Sequence, residues 1–387
     1  MSLEESAGTR ALLISRIAVV ATAAMFGLTY SLSAPLIAFR LVDQGLDETW
    51  IGVNAGMHAV GTLLAAPVLP LLAAAFGVRR LIVSALLLAV LVLLAFAASP
   101  PLWTWFLLRV LLGIASEVLF VLSETWTSYL SAEATRARAM ATYTAAMSVG
   151  FAAGPLILSV TGTAGMLPFI AGAIPPAAAM LLIGLPRLIA PEMHEPGERN
   201  PLRVVRLAPV AMAATALNAA VETAGLSFLA LYATNLGWGE TRATSLVSVM
   251  MIGAIVLQLP VGWLGDRMDR MRLVSWLVLI AGLGALLWPV ALASEWLAYA
   301  AVFIWGGAFV GLYTIMLTVV GSRFQGPELV AIYAVMGLLW GAGALAGPPL
   351  AGLAMDTTLH GLPFFVAFAC LLFLVFLKVP SRRPRTV

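Results

Sequence analysis

Twelve runs of apolar residues alternate along the chain with mostly short polar connections. They lie near 15–39, 50–74, 80–99, 101–128, 138–162, 164–186, 207–233, 243–264, 272–292, 296–321, 329–353 and 361–379. A helix needs about 20 predominantly apolar residues to cross a bilayer, so the pattern predicts twelve transmembrane helices. The closest neighbours are separated only at Ser99-Pro100-Pro101 and at Gly162, where short turns are expected. The single long polar connection, 187–206, divides the chain into a six-helix unit (1–186), a linker (187–206) and a second six-helix unit with a short basic tail (207–387).

One run breaks the apolar pattern. Trp103–Trp126, in the fourth span, carries Arg109, Glu117 and Glu124. At 100° per residue these fall within roughly 80° of one another, and Gly113 shares their stripe. Arg109 to Glu124 spans about 22 Å along the axis. A charge at bilayer depth costs several kcal/mol, so such residues face a protein interior or a watery cavity. One helix cannot hide three of them, and other helices must cover them.

Composition agrees with a membrane solvent. The chain is 62% hydrophobic and 10% charged, where a soluble protein carries about a quarter charged residues. The first apolar run is too long for a signal-peptide core and has no clear cleavage site, so no processing is expected. One cysteine, Cys370, excludes an intramolecular disulfide and a cysteine-built metal site. His58, His194 and His360 have no ligand spacing, and no metal or cofactor is expected. No Gly-rich loop followed by Lys and Ser or Thr is present, so energy must come from an ion gradient or the solute's own. With no nucleophile–base set or metal cluster at bilayer depth, an embedded enzyme is not expected.

The net charge of +3 reflects sidedness rather than nucleic-acid binding. With the N-terminus in the cytoplasm and the spans alternating, 18 of the 21 basic residues fall inside. Arg40 and Arg242 fall outside, and Arg109 lies within a span. The positive-inside rule then supports an even number of helices with both termini cytoplasmic.

The halves also repeat. A shift of 192 residues lays QGLDETWIG (44–52) on LGWGETRAT (236–244) and FGVRRL (76–81) on MDRMRL (268–273). A shift of 193 lays Gly150 and Gly154-Pro155 on Gly343 and Gly347-Pro348. Internal repeats of this kind mark transporters, with the substrate site near mid-membrane between the repeats.

Between the eighth and ninth spans the chain reads GWLGDRMDRMR (262–272). This resembles the loop signature of the major facilitator superfamily, with Gly262, Asp266, Arg267, Arg270 and Arg272 matching and Asp269 departing. The second–third loop, PLLAAAFGVRR (70–80), keeps Gly77, Arg79 and Arg80 but has Pro70 and Ala74 where the signature has Gly and Asp. Arg109 to Gly113 resembles the family's Arg-containing helix 4 motif, associated with proton coupling. Gly150 to Gly154-Pro155 resembles the Gly-Pro motif of exporters, and Gly343 to Gly347-Pro348 repeats it. The surroundings of Glu124 and the tenth–eleventh region are similar to the YcaD-like branch.

The resemblance implies an all-α membrane fold of two six-helix bundles related by a pseudo-two-fold repeat. It implies a central cavity lined by spans 1, 4, 7 and 10. That places Arg109, Glu117 and Glu124 with Asn218 and Glu222, which lie one turn apart in span 7. The 192-residue shift puts Tyr30 of span 1 opposite Glu222, and span 10 offers Trp305, Tyr313 and Thr314 as solute contacts. Glu222 reads either as a proton carrier or as a static hydrogen-bond partner of Asn218. Arg109 and Glu117 read as a coupling pair or a fixed ion pair. Glu124 lies nearer the cytoplasmic end, within reach of water, Arg136 or Arg138. His58 reads more readily as a packing hydrogen-bonder than as a titrating group. Asp266 reads as a state-dependent clasp that also caps a helix. Gly150, Gly154, Pro155, Gly343, Gly347 and Pro348 read as helix-packing positions.

The expectation is a multi-pass secondary transporter of a bacterial inner membrane, monomeric among its lipids, moving a small amphipathic or cationic organic solute by alternating access. A proton gradient drives it, and the Gly-Pro motif favours export. Uptake by proton symport, or uniport, is the alternative, and a non-transporting sensor or scaffold is the reading from another class.

Overall fold

A helix is found at every predicted span, and three of the spans are broken in two. The computed structural model describes residues 3–98, 101–131, 136–185, 188–191, 207–324 and 326–378. The first half holds α1 (Leu3–Asp43), α2 (Glu48–Ala65), α3 (Leu69–Phe76), α4 (Val78–Ala97), α5 (Leu102–Tyr129), α6 (Arg136–Thr161) and α7 (Leu167–Ile183). The second holds α8 (Pro209–Asn235), α9 (Glu240–Val256), α10 (Gln258–Arg267), α11 (Arg270–Leu286) and α12 (Trp288–Ala291). It ends with α13 (Glu295–Arg323), α14 (Gly326–Thr357) and α15 (Gly361–Lys378). Among the described residues, nine helices are long and apolar enough to span a membrane, and ten if the α2–α3 pair counts as one. The other two expected spans are α7 and α11, 17 residues each.

Each break coincides with proline, which lacks the backbone N–H and crowds the carbonyl four residues back. Pro67 and Pro70 flank the α2–α3 bend of 58°. Pro260 follows the α9–α10 break, and Pro289 sits in the first turn of α12. Pro155, by contrast, is accommodated inside α6. At the α6–α7 turn, Gly162 and Gly165 both take positive φ, +74° and +70°, which glycine alone adopts without a Cβ penalty.

The repeat is visible in the packing. In the first half α1 lies against α6, and in the second α8 lies against α14. A side chain at Gly150 would strike the Ala24 carbonyl of α1, and one at Gly154 would meet Ser31 and the Leu28 backbone. A side chain at Gly343 would strike the Ala216 carbonyl of α8, and one at Gly347 that of Ala220. Ala216 and Ala220 are Ala24 and Leu28 shifted by 192. Backbone-to-backbone approach of this kind is how small residues bind helices where lipid offers no hydrophobic drive.

The halves meet where α2 packs on α14, α6 on α9, and α1 on α8. Every hydrogen bond described between the halves lies at the end opposite the termini. Asp356, near the end of α14, accepts from the Glu48 amide at 2.8 Å, from the Thr49 amide at 3.0 Å and from the Thr49 hydroxyl. Asn235 donates to Glu48 at 3.5 Å. On the other side of the pseudo-axis the Thr163 hydroxyl donates to Glu240. Glu240 is Glu48 shifted by 192, and Asp356 is Thr163 shifted by 193. The two latches are therefore related by the repeat, with the carboxylate placed on opposite partners.

The opposite end, where both termini and most described arginines lie, has ties only within halves among the described residues. Arg79 donates to the carbonyls of Ile183, Gly184 and Leu185 at the close of α7, where a cation suits the negative helix end. The Ile189 amide donates to Ser15, and Trp126 donates to the Ile189 carbonyl. This fastens the start of the central connection to α1 and α5. Residues 192–206 of that connection, and the tail from 379, lie outside the described residues.

Candidate functional site

Helix α5 is drawn against α2 by a pair of glycines. A side chain at Gly113 would strike the His58 carbonyl, and one at Gly61 the Val110 carbonyl. This contact carries Arg109, one turn before Gly113, into the interior at 2% exposure. Its Nη1 donates to Ser33 of α1 at 3.0 Å. One turn before Ser33, the Tyr30 ring packs against His58, with centroids 4.7 Å apart. Tyr30 is also within electrostatic reach of Arg109 on one side and of Glu222 on the other.

Glu222 belongs to α8 of the second half. Asn218, one turn earlier, donates to it at 3.2 Å, and the Trp340 side chain of α14 also hydrogen-bonds it. Tyr313 of α13 lies within electrostatic reach of both Glu222 and Glu124 of α5. Yet α5 and α13 are not among the helix pairs that pack along their length. Glu124 and Thr318 are exposed, and Glu117, Tyr313 and Thr314 are half-buried. Polar groups of both halves thus lie within electrostatic reach of one another where α5 and α13 do not pack, and those nearer the end bearing the termini are the more exposed. Near Glu124, Tyr143 of α6 donates to the Phe120 carbonyl at 3.2 Å and lies 3.3 Å from Ser123.

The structure therefore brings together Arg109, Tyr30, Asn218, Glu222, Tyr313 and Glu124. It separates other expected pairs. Arg109 and Glu117 form no ion pair among the described residues, since eight residues of helix put their backbones about 12 Å apart. Arg109 takes Ser33 instead. Trp305 is not on a cavity wall. It is 1% exposed, donates to the Ala281 carbonyl at 3.0 Å and packs between Trp288 and Phe309 inside the second bundle. Thr314 bonds back to Val310 on its own helix at 3.2 Å.

At the 262–272 signature, Gly262, Asp266 and Arg267 fall within α10 rather than in a loop. Asp266 is exposed and caps no helix among the described residues; the cap of α11 is Asp269, which accepts from the Arg272 amide at 2.8 Å. The reason is positional, because α10 continues through Arg267 and only Asp269 precedes the new helix. Arg267 stacks over Trp263 at 3.9 Å, and Arg270 reaches the Gly265 carbonyl at 3.4 Å. The side chains of Arg136 and Arg138, expected near Glu124, lie outside the described residues.

Sequence reasoning passed over Asn54, Ser33, Trp340, Tyr143 and both latches. Asn54 carried a signal, being an amide in the middle of an apolar run. The 44–52 and 236–244 repeat marked the latches without disclosing that its carboxylates bridge the halves. Four polar atoms on α2 and α5 remain without partners among the described residues: Asn54 Nδ2 and Oδ1, His58 Nδ1 and Arg109 Nε. Each such atom costs about 1–3 kcal/mol if left unsatisfied.

Known proteins share this architecture. The family model described as Major Facilitator Superfamily matches residues 19–221 and again 211–387. The MFS-type transporter YfkF of Bacillus subtilis is 26% identical over 337 residues, covering 86% of each chain. An MFS-type transporter of Enterobacter sp. (strain 638) is 25% identical, covering 88% of this chain and 90% of its own. Among solved structures, a mutant of the nucleoside transporter NupG overlays with a TM-score of 0.78 at 13% identity, over 93% of this chain and 98% of that one. The D-xylose-proton symporter overlays at 0.77 and 13%, over 97% and 100%. With the family model spanning both bundles and the repeat written into their packing, this chain belongs to the major facilitator superfamily of membrane transporters.

Proposed function

We propose that this protein is a proton-coupled secondary transporter of a small organic solute, set in a bacterial inner membrane with both termini in the cytoplasm. The observation that carries the reading is the contrast between its ends. Among the described residues, hydrogen bonds join the halves only at the far end, while at the other α5 and α13 do not pack together and Tyr313 lies within electrostatic reach of Glu124 and Glu222. With the basic residues inside, this is the inward-facing state of an alternating-access cycle. A bacterial homologue of the human lysosomal transporter Spinster, solved in an inward-facing and unoccupied conformation, overlays with a TM-score of 0.73 at 16% identity and supports that assignment.

Glu222 is the proton carrier in this reading. It sits at bilayer depth, held by Asn218 and Trp340 and without a cationic partner among the described residues. Binding a proton removes its charge, which lets the cavity close around it in the opposite state. Glu124 lies at the cytoplasmic mouth, where the proton is released to water. The Gly-Pro pair of α6, seated on α1, favours export as the direction. In proteoliposomes with an internal pH dye, solute-dependent proton flux is expected in the wild type and lost in Glu222→Gln. Solute flux that persists without proton movement in either protein refutes the coupling.

A further inference from the structure

On α2, Asn54, His58 and Gly61 are spaced four and then three residues apart and share one stripe. Gly61 lies against α5, which fixes where that stripe faces. Trp50 meets Phe106 at 6.2 Å toward the far end, and the His58 carbonyl meets Gly113 toward the near end. Asn54 therefore falls level with Arg109. Asn54, His58 and Arg109 are 1%, 4% and 2% exposed. The Asn54 amide, His58 Nδ1 and Arg109 Nε have no hydrogen-bond partner among the described residues. Arg109 lies within electrostatic reach of His58, has no carboxylate within ion-pair range among those residues, and makes one bond, to the neutral Ser33.

A guanidinium at this depth without a counter-ion, beside an unpaired amide and a free ring nitrogen, lacks one chemical complement: a planar anion with two acceptor oxygens. We propose that a carboxylate of the transported solute is received between α1, α2 and α5, held by Arg109 and Asn54 with His58 beside it. The inference rests on the transporter reading above and narrows its small organic solute to a carboxylate, in place of the amphipathic or cationic solute expected from the sequence. Neutral water bonded to the same atoms would satisfy the amide but leave the arginine charge uncompensated. Glu222, across Tyr30 in the other half, stays free for the proton, so a carboxylate and a proton occupy opposite walls of one site.

The test uses the full-length protein in lipid nanodiscs, with acetate as the smallest carboxylate and acetamide as its neutral isostere, ionic strength balanced with sulfate. Acetate is expected to raise the melting midpoint by about 2 °C or more, and acetamide to leave it unchanged. Asn54→Leu removes two unpaired polar atoms, so it is expected to raise the midpoint of the unliganded protein while abolishing the acetate response. Equal responses to acetate and acetamide overturn the proposal. So does an Asn54→Leu protein that melts lower and still responds to acetate, which makes Asn54 structural. Counterflow of benzoate against benzylamine in proteoliposomes separates the two readings. Movement of the amine alone refutes the carboxylate subsite and leaves the transporter standing. Movement of neither excludes both probes as solutes, and the acetate response then decides the subsite by itself.

Discussion

Asp356→Ala tests whether the far-end latch holds the state in which the halves are closed at that end. The substitution removes three bonds to one carboxylate, two from the first amides of α2 and one from the Thr49 hydroxyl. Bonds to a charged acceptor are worth about 1.5–3 kcal/mol when buried. Asp356 is exposed, so the range for a helix cap, about 0.5–2 kcal/mol, is the better guide. Taking about 1.5 kcal/mol, the equilibrium moves roughly 12-fold. The bonds exist only while the halves touch at this end, so the loss falls on that state alone and the shift is toward opening at this end. Spin labels at Trp103 and Trp296, 70% and 86% exposed at the far ends of α5 and α13, report the separation by double electron–electron resonance. Asp47→Ala is the control, because Asp47 caps the same helix from within its own half, accepting from the Trp50 amide at 2.8 Å. It is expected to lower stability in both states without moving the distance distribution. A shift below twofold for Asp356→Ala, or an equal shift for Asp47→Ala, refutes the latch.

Three further outcomes are expected. Gly113→Val forces α5 off the His58 carbonyl; overpacking typically costs about 1–3 kcal/mol, read as a lower melting midpoint with solute flux lost. Trp305→Phe removes the bond to the Ala281 carbonyl and is expected to cost about 1 kcal/mol, with the solute KM unchanged in counterflow; a raised KM would return Trp305 to the cavity wall. Tyr313→Phe keeps the ring but removes the hydroxyl that faces both Glu124 and Glu222, and slower proton flux with intact solute binding is expected in the dye assay.

Sequence patterning disclosed the helices because bilayer thickness sets their length, and it disclosed the repeat because both halves solve the same packing problem. Gly150 with Gly154 and Gly343 with Gly347 show this, since each pair meets a carbonyl path on its own partner helix. Glu222 and Arg109 were legible because charge in lipid is conspicuous. Pairings were not. The spacing of Arg109 and Glu117 suggested an ion pair, yet the neighbour that answered Arg109 was Ser33, an ordinary polar residue of another span. Trp305 looked like a stacking platform, but helix rotation turned it into its own bundle. Asp266 and Asp269 differ in role by where α10 ends, and helix ends are the least determined feature of a periodic pattern.

The paired latches also constrain the path of opening. Asp356 with Glu48 and Thr49, and Glu240 with Thr163, tie the halves at two points on either side of the pseudo-axis. Two anchors define a line, and a body fixed along a line can only swing about it. While both hold, the halves hinge like a door, and the end bearing the termini opens or closes without any twist between bundles. With one cut, the survivor becomes a ball joint and the halves gain a skewing motion that the intact protein lacks. Asp356→Ala should therefore broaden the distribution of inter-bundle distances as well as shift it, whereas cutting both latches should shift it further.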